Sequence, residues 1–404
     1  MRIALLTHEP FYPPSGGGSA EAVYLVRELV RRGHAVHVFG PPVADPDQVR
    51  REFGIELHPF TRWRMGRTTA LRSVKYLLYP SFLQRMVEVA ARTTQFDLIL
   101  SQHTISAVAA GRLRRRLGVP VVMNFLDFLT GFMETWPAWL MPPPALAVLK
   151  RYELSLPRRF AADAVLTVSD VLADLFVETG FPRDRLRPIY YGYDADLFAF
   201  DPAAVAVRTD SPPHIVMHGS FDHHHLGRIA LEAVAHVHAE RRDAVFEFIG
   251  PETGAWRRFA QEARKRGRDA TVRHTGFVPY REIAARLRPA TLGIVPYEES
   301  AGVHCAFVAK AVEYLGLGLP VVATPLRGLQ RYFRAEPLLR FTSFDGRGFG
   351  EAILGWLREP PARRAEWGRL AAARVRRELD WRVIAANAAD CVEEVAGRRQ
   401  HPQP

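Results

Sequence analysis

Lys310 and Glu313 stand three residues apart in AKAVEYLGLGLPVVAT (309–324), just ahead of an apolar run. On a helix that spacing puts a cation and a carboxylate on one face. Gly316 and Gly318 stop the helix, and PVVAT reads as a short buried strand. An ammonium in this place can neutralise a diphosphate as a point charge. A carboxylate beside it can accept hydrogen bonds from ribose hydroxyls. The plain alternative is a helix-surface pair worth about 0.3–0.5 kcal/mol.

Two glycine-bearing loops invite the same question. HEPFYPPSGGGSAE carries Gly16, Gly17 and Gly18 into a helix. Glycines let backbone N–H groups approach an anion that the helix N-terminus also attracts; a flexible turn is the alternative. HGSFDHHHLG (218–227) offers a phosphate the Gly219 amide and the Ser220 hydroxyl. Its three histidines look like metal ligands, but adjacent residues rarely converge on one ion, so a solvated loop and no metal is the expectation. Neither GxGxxG nor a phosphate loop ending GK[ST] is present.

Strands and helices alternate around these loops. RIALLTH (2–8), AVHVFG (35–40), FDLILSQ (96–102), VPVVMNF (119–125) and DAVLTVS (163–169) read as buried strands with helical segments between them. Prolines and lost periodicity at 198–213 mark a linker, after which HIVMHGS, VFEFIGP, TVRHTGF and TLGIVPY repeat the pattern. Alternation of this kind predicts parallel sheets covered on both faces. Two Rossmann-like halves result, with boundaries expected at 1–200 and 201–375, a terminal helix over 376–398 and a disordered tail at 399–404. In such sheets ligands bind beyond the carboxyl ends of the strands.

The totals agree. A chain of 404 residues with 48% hydrophobic content is long for one core. Net charge is +11, spread as +5 over residues 1–200 and +6 over the rest, so no basic tail of the nucleic-acid kind exists. Phosphate-bearing substrates or an anionic membrane surface suit that charge better. Cys305 and Cys391 cannot build a disulfide framework. With neither a signal peptide nor a membrane-spanning run in sight, the expected place is the cytoplasm, at the inner membrane face if any membrane is touched.

Taken in order, the segments resemble the GT-B glycosyltransferases of family 4 (glycosyltransferase group 1) over nearly the whole chain. GGGSAEAVYLVRELVRRGHAVHVF is similar to that family's glycine loop and first helix. ADAVLTVSDVLADLF, YYGYDADLF and HTGFVPYREIAARLRPATLGIVPY resemble further segments, and AKAVEYLGLGLPVVAT its strongest motif. Departures are visible. The first of the family's paired glutamates falls on Cys305, and Glu313 matches the second. A histidine frequent in the family falls on Leu126, Tyr191 stands for asparagine, and HGSFDHHHLG replaces the usual phosphate loop. These changes resemble a divergent branch with a K..EY motif.

The resemblance implies two Rossmann-like domains facing across a cleft, with C-terminal helices crossing back to the N-terminal domain. It implies transfer of a sugar from a nucleotide diphosphate, UDP rather than GDP, without cofactor or metal. By this match Lys310 holds the diphosphate with Gly219 and Ser220, Glu313 the ribose, and the backbone near Val278 the base. Asp127 in VVMNFLDF takes the acidic place and is the candidate general base, with a helix N-cap or loop carboxylate as the alternative. His103 and His8, each after a strand, are lesser candidates. A base at Asp127 implies inversion, but the incomplete glutamate pair leaves the stereochemistry open.

The acceptor is expected to be a glycan, a lipid-linked sugar or a small molecule. Residues 59–86, with Trp63, Tyr76, Tyr79 and Phe82 among arginines, and the apolar 128–152 could meet a membrane; core helices with arginine rims are the alternative. Other readings are a degenerate nucleotide-binding partner subunit, a nucleotide-sugar epimerase, and a nicotinamide oxidoreductase, which the missing fingerprint disfavours.

Overall fold

The computed structural model of the chain describes residues 1–14, 17–59, 69–206, 208, 212–268 and 270–400. Gly16, Trp63 and the last four residues of the expected tail fall outside that set, as does the side chain of Tyr76. Two compact units emerge. The first comprises Met1–Leu129, Pro144–Tyr190 and Arg382–Pro404, the second Thr130–Pro143 and Tyr191–Trp381. The last helix, Trp381–Gln400, thus returns to the first unit, while 130–143 joins the second.

The first unit is built on seven parallel strands: β1 (Arg2–Leu6), β2 (Ala35–Gly40), β3 (Glu56–Pro59), β4 (Leu98–Gln102), β5 (Val121–Phe125), β6 (Ala164–Thr167) and β7 (Leu186–Pro188). Their order is β3-β2-β1-β4-β5-β6-β7. Ile3, Ala4, Leu5 and Leu6 are fully buried, as the continuous apolar run requires of a strand covered on both faces. The strand order reverses between β1 and β4, and the loops leaving those two strands therefore part to opposite faces. The returning helix is tied to this unit by charge: Arg32 donates to Asp390 at 2.6 Å and Glu393 at 2.7 Å.

The second unit repeats the plan with β8 (His214–His218), β9 (Val245–Ile249), β10 (Val272–Gly276), β11 (Leu292–Val295), β12 (Val321–Ala323) and β13 (Leu339–Phe341). The order is β10-β9-β8-β11-β12-β13, all parallel, so its switch point lies between β8 and β11. Two Rossmann-like sheets flanked by helices are what the alternating pattern predicts. Short edge strands β3, β7 and β13 were not legible in the pattern, since three or four residues give too little periodicity.

Segment 130–143 is held to the second unit by particular contacts. The Phe132 ring lies 4.4 Å from the His224 ring, and the Glu134 carboxylate accepts from the Ala301 amide at 2.6 Å. Only a glycine fits at 302, because a Cβ there would overlap the Phe132 backbone.

Candidate functional site

At the switch point of the second unit, the loop after β8 and the helix Ala309–Gly316 bring Gly219 and Lys310 together. Gly219 has φ +108°, a conformation side chains rarely adopt, and a Cβ on it would stand 3.5 Å from Lys310 Nζ. Gly250 supports this loop: the Gly219 amide donates to the Ile249 carbonyl at 2.9 Å. A Cβ on Gly250 would overlap the Gly219 carbonyl oxygen. Gly250→Ala is therefore expected to cost about 1–3 kcal/mol of stability through backbone overpacking and to displace the loop, which urea unfolding measures.

Lys310 is 9% exposed, its ammonium 4.9 Å from the Tyr297 ring centroid. Burial pushes its pKa down from 10.5 to about 7, and the Glu313 and Asp222 carboxylates pull the other way. His225 is buried and His224 half-buried; both lie against Tyr297, with ring centroids 4.6 and 5.7 Å away. Burial lowers both imidazoles, His224 to about 3, with the Lys310 charge adding to it. Two imidazoles of lowered pKa and a phenol thus surround a buried ammonium. A solvated histidine loop, expected from sequence, describes only His223; burial of His225 at 8% exposure corrects the rest.

Lys310 and Glu313 do share a buried face, but Glu313 turns to a different partner. Its Oε2 lies 2.6 Å from His218 Nε2, and His218 Nδ1 lies 3.0 Å from the Tyr314 hydroxyl. All three side chains are buried. A surface ion pair is excluded, and one oxygen of the expected ribose acceptor is already engaged. Ser220 is exposed beside Gly219, and Val278 is half-buried in the loop after β10. Cys305 is buried where the first glutamate of the family's pair would stand.

The next helix, Arg228–Glu240, has its N-terminus already occupied. Glu298 accepts from the Ile229 amide at 2.8 Å. A carboxylate there offsets the positive helix end that would otherwise draw a phosphate. A cavity of about 570 Å³ opens next to it, walled by His223, Gly227, Arg258, Glu262 and Glu298 among others; Lys310 is not part of its wall. Among the described residues one group has metal-ligand spacing, His236, Glu240 and Glu351, and none of the three loop histidines belongs to it. His236 is paired with Glu351 at 2.7 Å and Glu240 with Arg358 at 2.5 Å.

In the first unit, Gly18, His103 and Asp127 gather at the carboxyl ends of β1, β4 and β5. A Cβ on Gly18 would stand 2.9 Å from the His103 ring and 3.0 Å from Leu126. Gly17 begins the helix Gly17–Arg31. His103 has φ +63°, a strained value for a residue with a side chain, of the kind that clusters at functional sites. Its ring meets His8 edge-on at 4.9 Å, and its Nε2 lies 3.7 Å from the Glu9 carboxylate.

Asp127 sits in an acidic, enclosed setting. Burial raises its pKa from 3.8 to about 8, and the Glu9 and Glu153 carboxylates push it further up. One residue of this setting was not singled out from sequence. Glu21 is 1% exposed and accepts from Asn124 Nδ2 at 2.6 Å. Burial holds its pKa at about 8. Its place on an apolar helical face, SAEAVYLVRELV, was the available signal.

Family models and solved structures match this arrangement. Residues 15–197 match the Glycosyltransferase Family 4 model, and residues 212–359 the Glycosyl transferases group 1 model. Among solved structures, sucrose-phosphate synthase from Thermosynechococcus elongatus superposes with a TM-score of 0.79 at 17% identity, over 98% of this chain and 99% of that one. HepE from Anabaena, in complex with UDP and glucose, gives 0.73 at 17% identity over 97% and 99%. The trehalose 6-phosphate synthase of Burkholderia multivorans gives 0.73 at 17% over 100% and 98%. No curated protein matches the chain by sequence.

Proposed function

The chain belongs to the nucleotide-sugar-dependent glycosyltransferases of the GT-B fold, in the family 4 and group 1 lineage, and we propose that it moves a sugar from a UDP-linked donor to an acceptor hydroxyl. The observation that carries this reading is the buried ammonium of Lys310 beside the positive-φ Gly219, at a strand-order reversal where anionic ligands bind. Lys310 neutralises the diphosphate and Ser220 donates to its oxygens, while Gly219, its own amide held by Ile249, lets the backbone come close to the anion. Glu313 meets the ribose through the oxygen that His218 leaves it, and the backbone at Val278 meets the base. UDP is favoured over GDP because HepE, a structural neighbour, was solved with UDP and with UDP-glucose.

In the transfer step the acceptor oxygen bonds to the anomeric carbon as the bond from that carbon to the phosphate oxygen breaks. The departing diphosphate carries the electron pair towards Lys310, whose charge stabilises it where it develops. Asp127 takes the acceptor's proton. The glycine loop, with Gly18 packed on His103 and Leu126, lines the acceptor or phosphate side. The acceptor is a glycan, a lipid-linked sugar or a small molecule.

A nucleotide panel tests the reading. UDP and a UDP-sugar are expected to raise the melting temperature, whereas NADH is not. A ligand at 100 times its Kd stabilises the native state by about 2.7 kcal/mol. A protein that no nucleoside diphosphate stabilises overturns the donor assignment. Stabilisation without sugar release to any acceptor would favour a non-catalytic partner subunit, and interconversion of the free nucleotide sugar an epimerase.

A further inference from the structure

Ala145, Val148, Leu149 and Tyr152 recur at helical spacing along the helix Pro143–Arg159, and all four are exposed, Val148 by 68%. The other side of that helix buries Leu146, Leu156 and Pro157. Packing therefore accounts for one apolar side and, among the described residues, leaves the outer stripe exposed. Single exposed apolar residues are ordinary, but a contiguous stripe marks a contact surface.

Charge identifies the kind of contact. The helix carries Lys150, Arg151, Arg158 and Arg159 and a single acid, Glu153, which is buried and bonded to the Thr104 hydroxyl and the Leu129 amide. Arg115 joins the basic end, donating to the Arg159 carbonyl at 2.6 Å. Its neighbours Arg114 and Arg116 are neutralised by Asp163 and Glu88 at 2.9 and 2.8 Å. Among the described residues, Arg115, Arg151, Arg158 and Arg159 have no carboxylate in ion-pair reach. The Arg159 guanidinium lies 5.6 Å from the Tyr152 ring, so the cationic cluster runs directly into the apolar stripe.

We propose that this outer face rests on an anionic membrane surface, with Val148, Leu149 and Tyr152 in the boundary between headgroups and acyl chains and the four arginines against lipid phosphates. An acidic soluble partner would use the charges alone, whereas a lipid surface uses both the charges and the stripe beside them. No helix among the described residues is long and apolar enough to cross a membrane, so the contact is interfacial. The inference goes beyond donor chemistry and stands without it.

Sedimentation of the full chain with vesicles, in the absence of any sugar donor, tests it separately from the transferase reading. Binding is expected to phosphatidylcholine vesicles containing phosphatidylglycerol, weakly to phosphatidylcholine alone, and to weaken with salt. The double variant Val148→Glu, Leu149→Glu alters exposed positions, so it should melt as wild type does while binding drops by about tenfold or more. Arg151→Glu with Arg158→Glu should do the same. No sedimentation with phosphatidylglycerol vesicles, or unchanged binding by the Val148/Leu149 variant, overturns the proposal. So does equally tight capture by polyglutamate that the Val148/Leu149 variant retains, which would indicate an acidic protein partner.

Discussion

Lys310→Met is expected to leave the unliganded protein folded, melting at or above the wild-type temperature, and to erase its stabilisation by UDP. Both halves follow from burial. An amine held at 9% exposure is costly to keep charged, so a methionine of similar length relieves that cost without opening a cavity. The diphosphate loses its ammonium in the same change. Hydrogen bonds to charged groups contribute about 1.5–3 kcal/mol each, which corresponds to about 10- to 150-fold weaker binding. A variant that still shifts with UDP as wild type does would remove Lys310 from the site.

The lysine also fixes a pH dependence. Its folded pKa, about 7, lies below the unfolded value of 10.5, so the unfolded chain holds more protons between those limits. Wild-type stability should therefore rise with pH from about 7 upward on account of this group, a slope that Lys310→Met lacks. UDP needs the ammonium form. Its affinity should fall as pH climbs above 7, and at pH 8 its binding should take up a proton, as calorimetry in two buffers of different ionisation heat would show.

The second large effect is expected at Asp127. Asp127→Asn should bind UDP as wild type does and lose transfer by about 10²–10⁴, the usual range for a general base. The substitution is nearly isosteric and removes only the ability to take a proton. Because burial and the Glu9 and Glu153 carboxylates hold the Asp127 carboxyl at about 8, wild-type transfer should climb with pH towards that value. The Lys310 requirement opposes it from about pH 7 upward, giving a narrow bell-shaped profile centred between the two values. In Asp127→Asn the residual rate should lose the ascending limb. Transfer at the wild-type rate would rule out Asp127 as base.

Much of the fold was legible because parallel strands buried on both faces are written as short apolar runs. RIALL, LILSQ and VVMNF appear where β1, β4 and β5 lie. The motif AKAVEY also announced a helix with its two charges on one face. What it could not announce is where those charges turn, since His218, 95 residues earlier in the chain, decides the direction of Glu313. The histidine loop misled for a related reason. A run of three polar rings reads as solvated unless Tyr297 and Phe132, both distant in sequence, are known to pack on it. The transfer of 130–143 to the second unit was equally illegible, because its anchors, Ala301 and Gly302, carry no local signal. Glu21 was marked only by its place on an apolar helical face, since the partner that fixes it, Asn124, lies 103 residues away in the chain.

The central claim is that the Lys310 ammonium grips the diphosphate of a nucleotide in the second unit. A crystal structure with UDP measures it directly. The account predicts Lys310 Nζ at about 2.7–3.0 Å from a phosphate oxygen, with the Gly219–Ser220 loop on the same group. Density for UDP elsewhere, with Lys310 still stacked on Tyr297 and touching no phosphate, would contradict it.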